Sequence, residues 1–385
     1  MALRLSAFSL YLLTLNFVFH LYLYRRWLPG PRGDPRRNKR ALSAALVTAV
    51  SLVAIQFLAR SWPDSAARWL LFPALLWAGF ALYWVGFSSV LDTVSWGWRR
   101  LKLSSAKPPV PERRAFLETA IKAGTLAASG GSAAFGTWRA YQAPEISEVE
   151  VRLPFLPKKL DGFALVQLSD VHIGAMLQRK FLEDLVARAN GLKPDLVAIT
   201  GDLVDGTVAQ LGGHVSALRG LTSRHGTWFI TGNHDYYSGA DAWVTALSSM
   251  GIASLRNRLV SIGEGKASFD LLGVDDWSSR ERGGYDLDAA VASRDPERAS
   301  VLLAHQPQNL DAVASKGIGL QLSGHTHGGQ MFPGTIVSDL LWGARSHGLS
   351  RFGGTTLYVS RGCGFVGPPQ RGGSPPELVK VILRA

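Results

Sequence analysis

Five short apolar runs in the second half of the chain each stop at a polar string: Phe163 to Leu168, Leu196 to Thr200, Trp228 to Thr231, Val301 to Ala304 and Leu320 to Ser323. Runs of this length, bounded by turn-forming residues, read as buried strands. The strings at their ends are SDVH, GDLVD, GNHD, AHQPQ and GHTHGG. In layered α/β folds the loops at strand carboxyl ends share one surface, so these distant strings are expected to meet. What would meet is Asp170 with His172, Asp202, Asn233 with His234 and Asp235, His305, and the pair His325 and His327. Hard oxygen donors mixed with imidazoles suit Mn, Fe or Zn, and two such ions roughly 3.5–4 Å apart can clamp an in-line displacement at phosphorus.

The connecting segments Lys180 to Asn190 and Thr207 to Leu221 carry helical spacing with polar faces. Leu255 to Asp276 and Thr356 to Leu383 read instead as antiparallel strands with Gly-rich turns. The expected fold is α/β, two packed sheets flanked by helices, over residues 145–385.

The first 144 residues have a different texture. Ser6 to Tyr24, Ala41 to Ala59 and Trp69 to Leu91 are apolar runs of about bilayer length, and three of them before any catalytic string argue against buried core helices. Charge follows the same division. Eighteen of the 41 Lys and Arg but only five of the 29 Asp and Glu precede Glu145, so the formal charge of +12 belongs to the amino-terminal third. Arg25, Arg26, Arg32, Arg36, Arg37, Lys39 and Arg40 fill the first link, whereas Arg60 to Arg68 carries two Arg and one Asp. The positive-inside rule places the first link in the cytoplasm and the second outside. Arg99, Arg100, Lys102, Lys107, Arg113 and Arg114 return the chain to the inside. Basic charge that membrane topology explains makes nucleic acid an unlikely partner.

A weaker fourth run, Ala115 to Trp138, follows Arg113-Arg114-Ala115-Phe116-Leu117, which resembles a twin-arginine export signal although Glu112 and Glu118 depart from its usual flanks. Three or four spans are therefore expected, and a spanning fourth run would put residues 145–385 on the outer side. Cys363 is the single cysteine, which excludes an intrachain disulfide and a thiolate metal cluster. Between Gly362 and Gly364 it reads as a small residue in a tight loop.

From Val151 to Ala385 the five strings, in this order, resemble the calcineurin-like metallophosphoesterase superfamily. GHTHGGQ, Ser360-Arg361-Gly362 and Pro375-Pro376-Glu377 look most like its membrane-linked bacterial subgroup, typified by the phosphodiesterases YkuE and YaeI. The resemblance implies that Asp170, His172 and His327 hold one metal, that Asn233, His305 and His325 hold a second, and that Asp202 bridges them. It implies that a water or hydroxide between the ions attacks phosphorus, with His234 facing the substrate and Asp235 fixing the His234 tautomer. The subgroup implies a bacterial cytoplasmic membrane, and the alternation of the spans, with the fourth run crossing, places the catalytic part on its outer side.

Other residues leave alternatives open. Asp205 either orients a ligand or stabilises a turn, and Arg361 is a phosphate fork or a surface salt bridge. Asp275 and Asp276 reach the substrate or are solvated in a turn. Gly174, Gly201, Gly232, Gly324, Gly328 and Gly329 permit close backbone approach or merely form turns. His20, His214 and His225 lie in no motif and read as structural, with His347 nearer a Gly-rich loop. The leading expectation is a membrane-anchored dimetal hydrolase of phosphodiester or pyrophosphate bonds, with a lipid-linked or envelope substrate suggested by location. A phosphomonoesterase and a non-catalytic metal-binding scaffold are the alternatives.

Overall fold

Sequence runs of alternating burial set the layers of the catalytic part. The computed structural model describes residues 2–29, 33–59, 64–101 and 111–385. Arg32, Arg60, Lys102 and Lys107 of the charge argument lie outside them. The chain divides into two compact units, residues 1–139 with 367–372, and residues 140–366 with 373–385.

The first unit contains four helices among the described residues: α1 (Ala2–Trp27), α2 (Pro35–Ala59), α3 (Asp64–Arg100) and α4 (Pro111–Ala140). Pro35–Leu58 and Ala66–Arg100 are long and apolar enough to cross a bilayer. Their apolar side chains point outward as well as inward, Val47 being 64% and Trp69 82% exposed. A helix apolar all round is at home in lipid. Polar groups stitch the helices together: Trp77 Nε1 of α3 donates to His20 Nε2 of α1 at 3.1 Å, and Arg26 pairs with Asp92 at 2.9 Å. His20 is thus structural, as expected.

In the second unit, sheet one runs β1 (Glu145–Arg152), β12 (Glu377–Arg384), β2 (Phe163–Leu168), β3 (Leu196–Thr200), β4 (Thr227–Ile230) and β5 (Ile252–Ser254) in spatial order. Sheet two runs β10 (Gly348–Phe352), β11 (Thr355–Val359), β9 (Leu320–Ser323), β8 (Ser300–Leu303), β7 (Ala267–Gly273) and β6 (Arg258–Glu264). Helices α5 (Arg179–Gly191), α6 (Val208–Val215), α7 (Asn233–Ser238) and α8 (Ala240–Ser248) follow the strands of sheet one. Helices α9 (Leu287–Val291), α10 (Leu310–Ser315) and α11 (Gly334–Trp342) belong to the sequence of sheet two. The expected sandwich of two mixed sheets with flanking helices is what forms.

Alternation along β2 shows how the layers arise. Phe163 and Leu165 point into the core between the sheets, with Leu196, Ala198, Phe269, Leu271, Val301, Leu303, Leu320 and Leu322. Val166 and Leu168 point the other way, into a core shared with Leu182, Leu185, Leu211 and Trp243 of the helices. Withdrawing each such aliphatic side chain from water contributes roughly 1.5–3 kcal/mol. Gln167 is the polar exception on this strand; its Nε2 donates to Thr200 Oγ1 at 2.9 Å and to Ser323 O at 3.0 Å, joining the carboxyl ends of β2, β3 and β9 across the sandwich.

The five anticipated strands all form, three of them parallel in sheet one and two parallel in sheet two. Leu255 to Asp276 contains the expected antiparallel pair, β6 with β7. Thr356 to Leu383 does not behave as one antiparallel pair. β11 lies parallel to β9 and antiparallel to β10, whereas β12 lies in the other sheet, antiparallel to β2 and parallel to β1. The Gly- and Pro-rich stretch 360–376 between them is too long for a hairpin turn and crosses between sheets instead.

Phe269 sits fully buried between the sheets, edge-on to Phe163 at 5.2 Å. Phe269→Ala should cost about 3–5 kcal/mol in a denaturant titration of the purified chain. Phe155→Ala, at a position 67% exposed, should stay within about 0.5 kcal/mol of the parent.

Candidate metal centre

Each functional string occupies the loop that leaves the carboxyl end of its strand, and the loops are held there by backbone hydrogen bonds to one another. Asp170 N–H donates to Gly201 O at 3.1 Å and His172 N–H to Asp202 O at 3.1 Å, so the loop after β2 is laid against the loop after β3. His325 N–H reaches the Asp170 carboxylate at 3.0 Å, bringing in the loop after β9. These short links require close approach. A Cβ on Gly201 would lie 2.8 Å from both Gly232 N and His305 Nδ1, and one on Gly232 would collide with the Asp202 carboxylate.

The backbone at the site is itself unusual. Asp170, His172, Asp202, His325 and His327 have φ of 52, 51, 50, 74 and 50°, in the left-handed region that non-glycine residues seldom occupy. Each such residue costs of order 1–3 kcal/mol, and clusters of them occur where a side chain must be aimed. All five were anticipated as metal ligands.

Among the described residues, donor atoms converge in three groups that could hold an ion: one is His172, Asp205 and His234, and the other two contain the anticipated ligands. Of these two, Asp170, His172 and His327 form one, Asp202, His305 and His325 the other, each with its candidate ligand atoms within 4.8 Å of one another. In the first, His172 Nε2 faces His327 Nε2 at 3.1 Å, and His327 Nε2 lies 3.4 Å from Asp170 Oδ1. Asp202 Oδ2 stands between the groups, 3.9 Å from His172 Nε2 and 3.2 Å from His305 Nε2. The Asn233 side-chain oxygen is buried with no hydrogen-bond partner, and His305 Nε2 is buried with only the Asp202 carboxylate facing it. A buried polar atom without a partner is expensive, so donors of this kind fit a cation between them. His305 Nδ1 is within 2.9 Å of Thr200 O, which fixes the N–H there and leaves a lone pair on Nε2.

The electrostatics follow from burial opposed by charge. Burial would raise the Asp202 carboxyl, but the imidazoles of His305, His234 and His172 hold it well below the usual range. Burial would lower His305, and Asp202 pushes it well above its ordinary value instead. His325 goes down, from burial and from the neighbouring His305. His234 is raised to about 9 because Asp205 and Asp202 outweigh its burial. Asp235 is raised to about 7 by burial and by the charge of Asp202, with the N–H groups of Gly232 and Leu203 opposing.

His234 and Asp235 separate in role. The Asp235 carboxylate accepts from the N–H groups of Gly232 at 2.7 Å, Asp202 at 2.9 Å and Leu203 at 3.0 Å. It therefore does not set the His234 tautomer, contrary to expectation, because its two oxygens are turned inward to the loop backbone. Asp205 takes that place: its Oδ1 is 2.6 Å from His234 Nδ1 and 3.2 Å from His172 Nδ1. The orienting alternative for Asp205 is the one realised. The His234 side chain remains 27% exposed, at the open side of the cluster.

Other sequence alternatives resolve as well. Asp275 and Asp276 are 3% and 0% exposed, so neither is solvated. Asp275 accepts from Arg256 Nε at 2.8 Å and from Thr231 Oγ1 at 3.0 Å, while Asp276 accepts from Gln306 Nε2 at 3.1 Å. Arg361 is neither a surface pair nor a free fork; its guanidinium holds the buried Glu377 carboxylate at 2.8 Å. Cys363 is buried in its loop, its N–H donating to Ser169 O at 2.8 Å. His225 packs on Phe163 at 5.4 Å, a structural role, and His347 is exposed near Asp339 at 3.9 Å. Arg256 and Gln306 were not singled out in the sequence, since an isolated Arg or Gln in a loop carries no pattern until its buried acid is located.

A two-sheet sandwich with paired His and Asp clusters at its strand ends defines a metal-dependent phosphoesterase. Residues 163–329 match the calcineurin-like phosphoesterase family. A "Transmembrane protein with metallophosphoesterase domain" from Danio rerio is 31% identical over 392 residues, spanning 98% of this chain and 89% of that protein. An uncharacterised metallophosphoesterase of Helicobacter pylori is 33% identical, spanning 79% of this chain and 78% of that one. The uncharacterised metallophosphoesterase YkuE of Bacillus subtilis is 31% identical over 71% of this chain and 98% of its own length. The chain belongs to the calcineurin-like metallophosphoesterase family. With two apolar helices of spanning length and a transmembrane-named relative, it is also a candidate for membrane association.

Because a Cβ on Gly232 or Gly324 would intrude on the Asp202 or Asp170 carboxylate, Gly232→Ala and Gly324→Ala should each lower divalent-metal retention about 10–100-fold, as misplaced ligand support does elsewhere. Metal analysis after dialysis checks this, with Gly354→Ala, where a Cβ meets nothing within 4 Å, as the control.

Proposed function

We propose that this chain is a membrane-anchored hydrolase of phosphodiester or pyrophosphate bonds that works with two divalent ions. Asp170, His172 and His327 would hold one ion, Asn233, His305 and His325 the other, and Asp202 would be shared. The observation that carries the reading is the position of Asp202 Oδ2, flanked by an imidazole nitrogen from each group at 3.9 and 3.2 Å. A carboxylate has two oxygens to share between cations, whereas each neutral imidazole offers one nitrogen to one ion. The donor set suits Mn, Fe or Zn.

When bound, two such ions would supply Lewis acidity at the phosphoryl oxygens and lower the pKa of a water between them. The protein's own groups do the rest. His305 is kept in the right tautomer by Thr200 O, and His172 by Asp205. His234, held at Nδ1 by Asp205, presents Nε2 to the open side, where it can stabilise the pentacoordinate charge and give a proton to the departing oxygen. Asp235 stays away from the substrate and fixes the two loops that carry Asp202 and Asn233. A diester with a poor leaving group depends most on that proton.

The anchor is proposed as three or four helices in residues 1–144, with residues 145–385 on the outer side of a bacterial cytoplasmic membrane. The alternation of basic links and the Arg113-Arg114 string support that orientation.

His234→Ala should lower kcat on an alkyl phosphodiester by about 10²–10⁴-fold, the usual worth of a general acid, while bound metal stays at the parent level. The loss should be smaller on bis(p-nitrophenyl) phosphate, whose leaving group needs no proton. Greater activity on p-nitrophenyl phosphate than on the diester, both assayed with Mn, would instead favour a monoesterase. For topology, alkaline phosphatase fused after Pro144 should be active, whereas an active cytoplasm-only reporter at the same point would reverse the orientation.

A further inference from the structure

Helix α11, which follows the GHTHGGQ loop, turns an apolar face to solvent. Ile336, Val337, Leu340 and Leu341 are 52, 49, 80 and 71% exposed. At 100° per residue these four positions fall within one arc of about 140°, a stripe and not a scatter. The opposite side is anchored: Ser338 is buried, its Oγ 2.9 Å from Ser346 Oγ. Among these positions only Asp339, at the margin of the stripe, adds a charge. Large apolar side chains grouped on a folded surface mark a place that meets protein or membrane.

Two further observations choose between those occupants. The helix itself ends in Trp342, outside that arc, with the Arg345 guanidinium 5.7 Å from its ring centroid, an aromatic and basic pair of the kind that anchors a helix in a bilayer interface. The same chain carries two helices long enough to cross a bilayer, so a lipid surface is a tethered neighbour at high effective concentration, which a second copy is not. The helix also borders the chemistry from its other side, for the Trp342 ring stands edge-on to the His325 ring at 5.9 Å.

We infer that α11 lies in the lipid interface with Ile336, Val337, Leu340 and Leu341 submerged, which sets the metal centre at headgroup level and makes its substrate a membrane amphiphile with a phosphodiester or pyrophosphate in the headgroup. The substrate half of this inference rests on the phosphoesterase reading above; the insertion of α11 does not. Hydrolysis at that level adds one water across the P–O bond, its oxygen to phosphorus and its proton to the departing oxygen. No oxidant or second substrate is required.

The test uses the full chain reconstituted in vesicles of equal parts phosphatidylcholine and phosphatidylglycerol. Cys363 is buried, so an environment-sensitive fluorophore placed at Leu340→Cys reports that site. Its emission should be blue-shifted and fall by about half when the lipids carry a nitroxide high on the acyl chain, whereas the same label at Phe155→Cys, 67% exposed and at the opposite ends of the strands, should do neither. Water-like, unquenched emission at Leu340→Cys overturns the inference. So does a blue shift that ignores the nitroxide and disappears as the protein is diluted in lipid, which would assign the face to a second copy. In parallel, Leu340→Glu combined with Leu341→Glu should leave cleavage of soluble bis(p-nitrophenyl) phosphate unchanged and lower cleavage of vesicle-borne hexadecyl p-nitrophenyl phosphate about tenfold. Equal loss on both, or loss on neither, overturns the substrate half. A parent chain that cleaves neither compound defeats the phosphoesterase reading, while the quenching result still decides the fate of α11.

Discussion

The Asp235 carboxylate is the interaction on which the site depends. It is fully buried and accepts three backbone N–H groups, one from its own loop and two from the loop after β3. Hydrogen bonds to a buried carboxylate are stronger than neutral ones, and these lock together the two loops that carry Asp202 and Asn233. With those loops in register, His234 N–H can reach Asp202 Oδ1 at 2.8 Å, and the Asp202 carboxylate is clamped from two directions. Gln167 does the matching work across the sandwich by tying the ends of β2, β3 and β9 together. The metal donors then come from both sheets without any one loop having to be long.

This arrangement carries a thermodynamic cost. Five left-handed candidate ligand residues, and the buried Asn233 Oδ1 that lacks a hydrogen-bond partner, all oppose folding. The continuous apolar core between the sheets offsets them, with residues such as Leu165, Phe269 and Val301 fully buried in it. Ions that bind the folded chain and not the unfolded one would add their own binding free energy to its stability. The centre is therefore placed where the scaffold is stiffest, at the carboxyl ends of central strands, and not in the peripheral strands β1, β5, β6 or β10.

Much of this was legible in the residues because two kinds of signal coincided. A buried strand declares itself as a short apolar run, and a ligand loop as carboxylate, amide and imidazole at its end, so β2, β3, β4, β8 and β9 and the convergence of their loops could be read in advance. The fate of β12 could not. Its alternation is that of any half-buried strand, and partner choice depended on the long 360–376 crossover and on β1 lying along its far edge. The exchange of roles between Asp205 and Asp235 was hidden for a related reason. Both acids sit near His234 in sequence or in motif, and only the three-dimensional direction of the Asp235 side chain, toward three N–H groups, tells them apart. Asp275 and Asp276 looked like turn acids because their partners Arg256, Thr231 and Gln306 are remote in sequence.

Charge and hydrophobicity together narrow what can reach such a centre. A polyanion such as nucleic acid is gathered by an extended electropositive surface. Here eighteen basic residues precede Glu145 against five acidic ones, while the residues after it hold 23 basic and 24 acidic. The cationic excess lies with the apolar helices, where the proposed membrane topology would account for it. On the proposed reading phosphate recognition would then be local, from the ions and from imidazoles such as His234, and what surrounds that local charge would decide the rest of the ligand. Beside His325 the surroundings are Trp342, with the Arg345 guanidinium over its ring, and on another side of the same helix the apolar stripe of α11. A phosphate group joined to an apolar body, the substrate inferred above, is the ligand whose two halves would meet both.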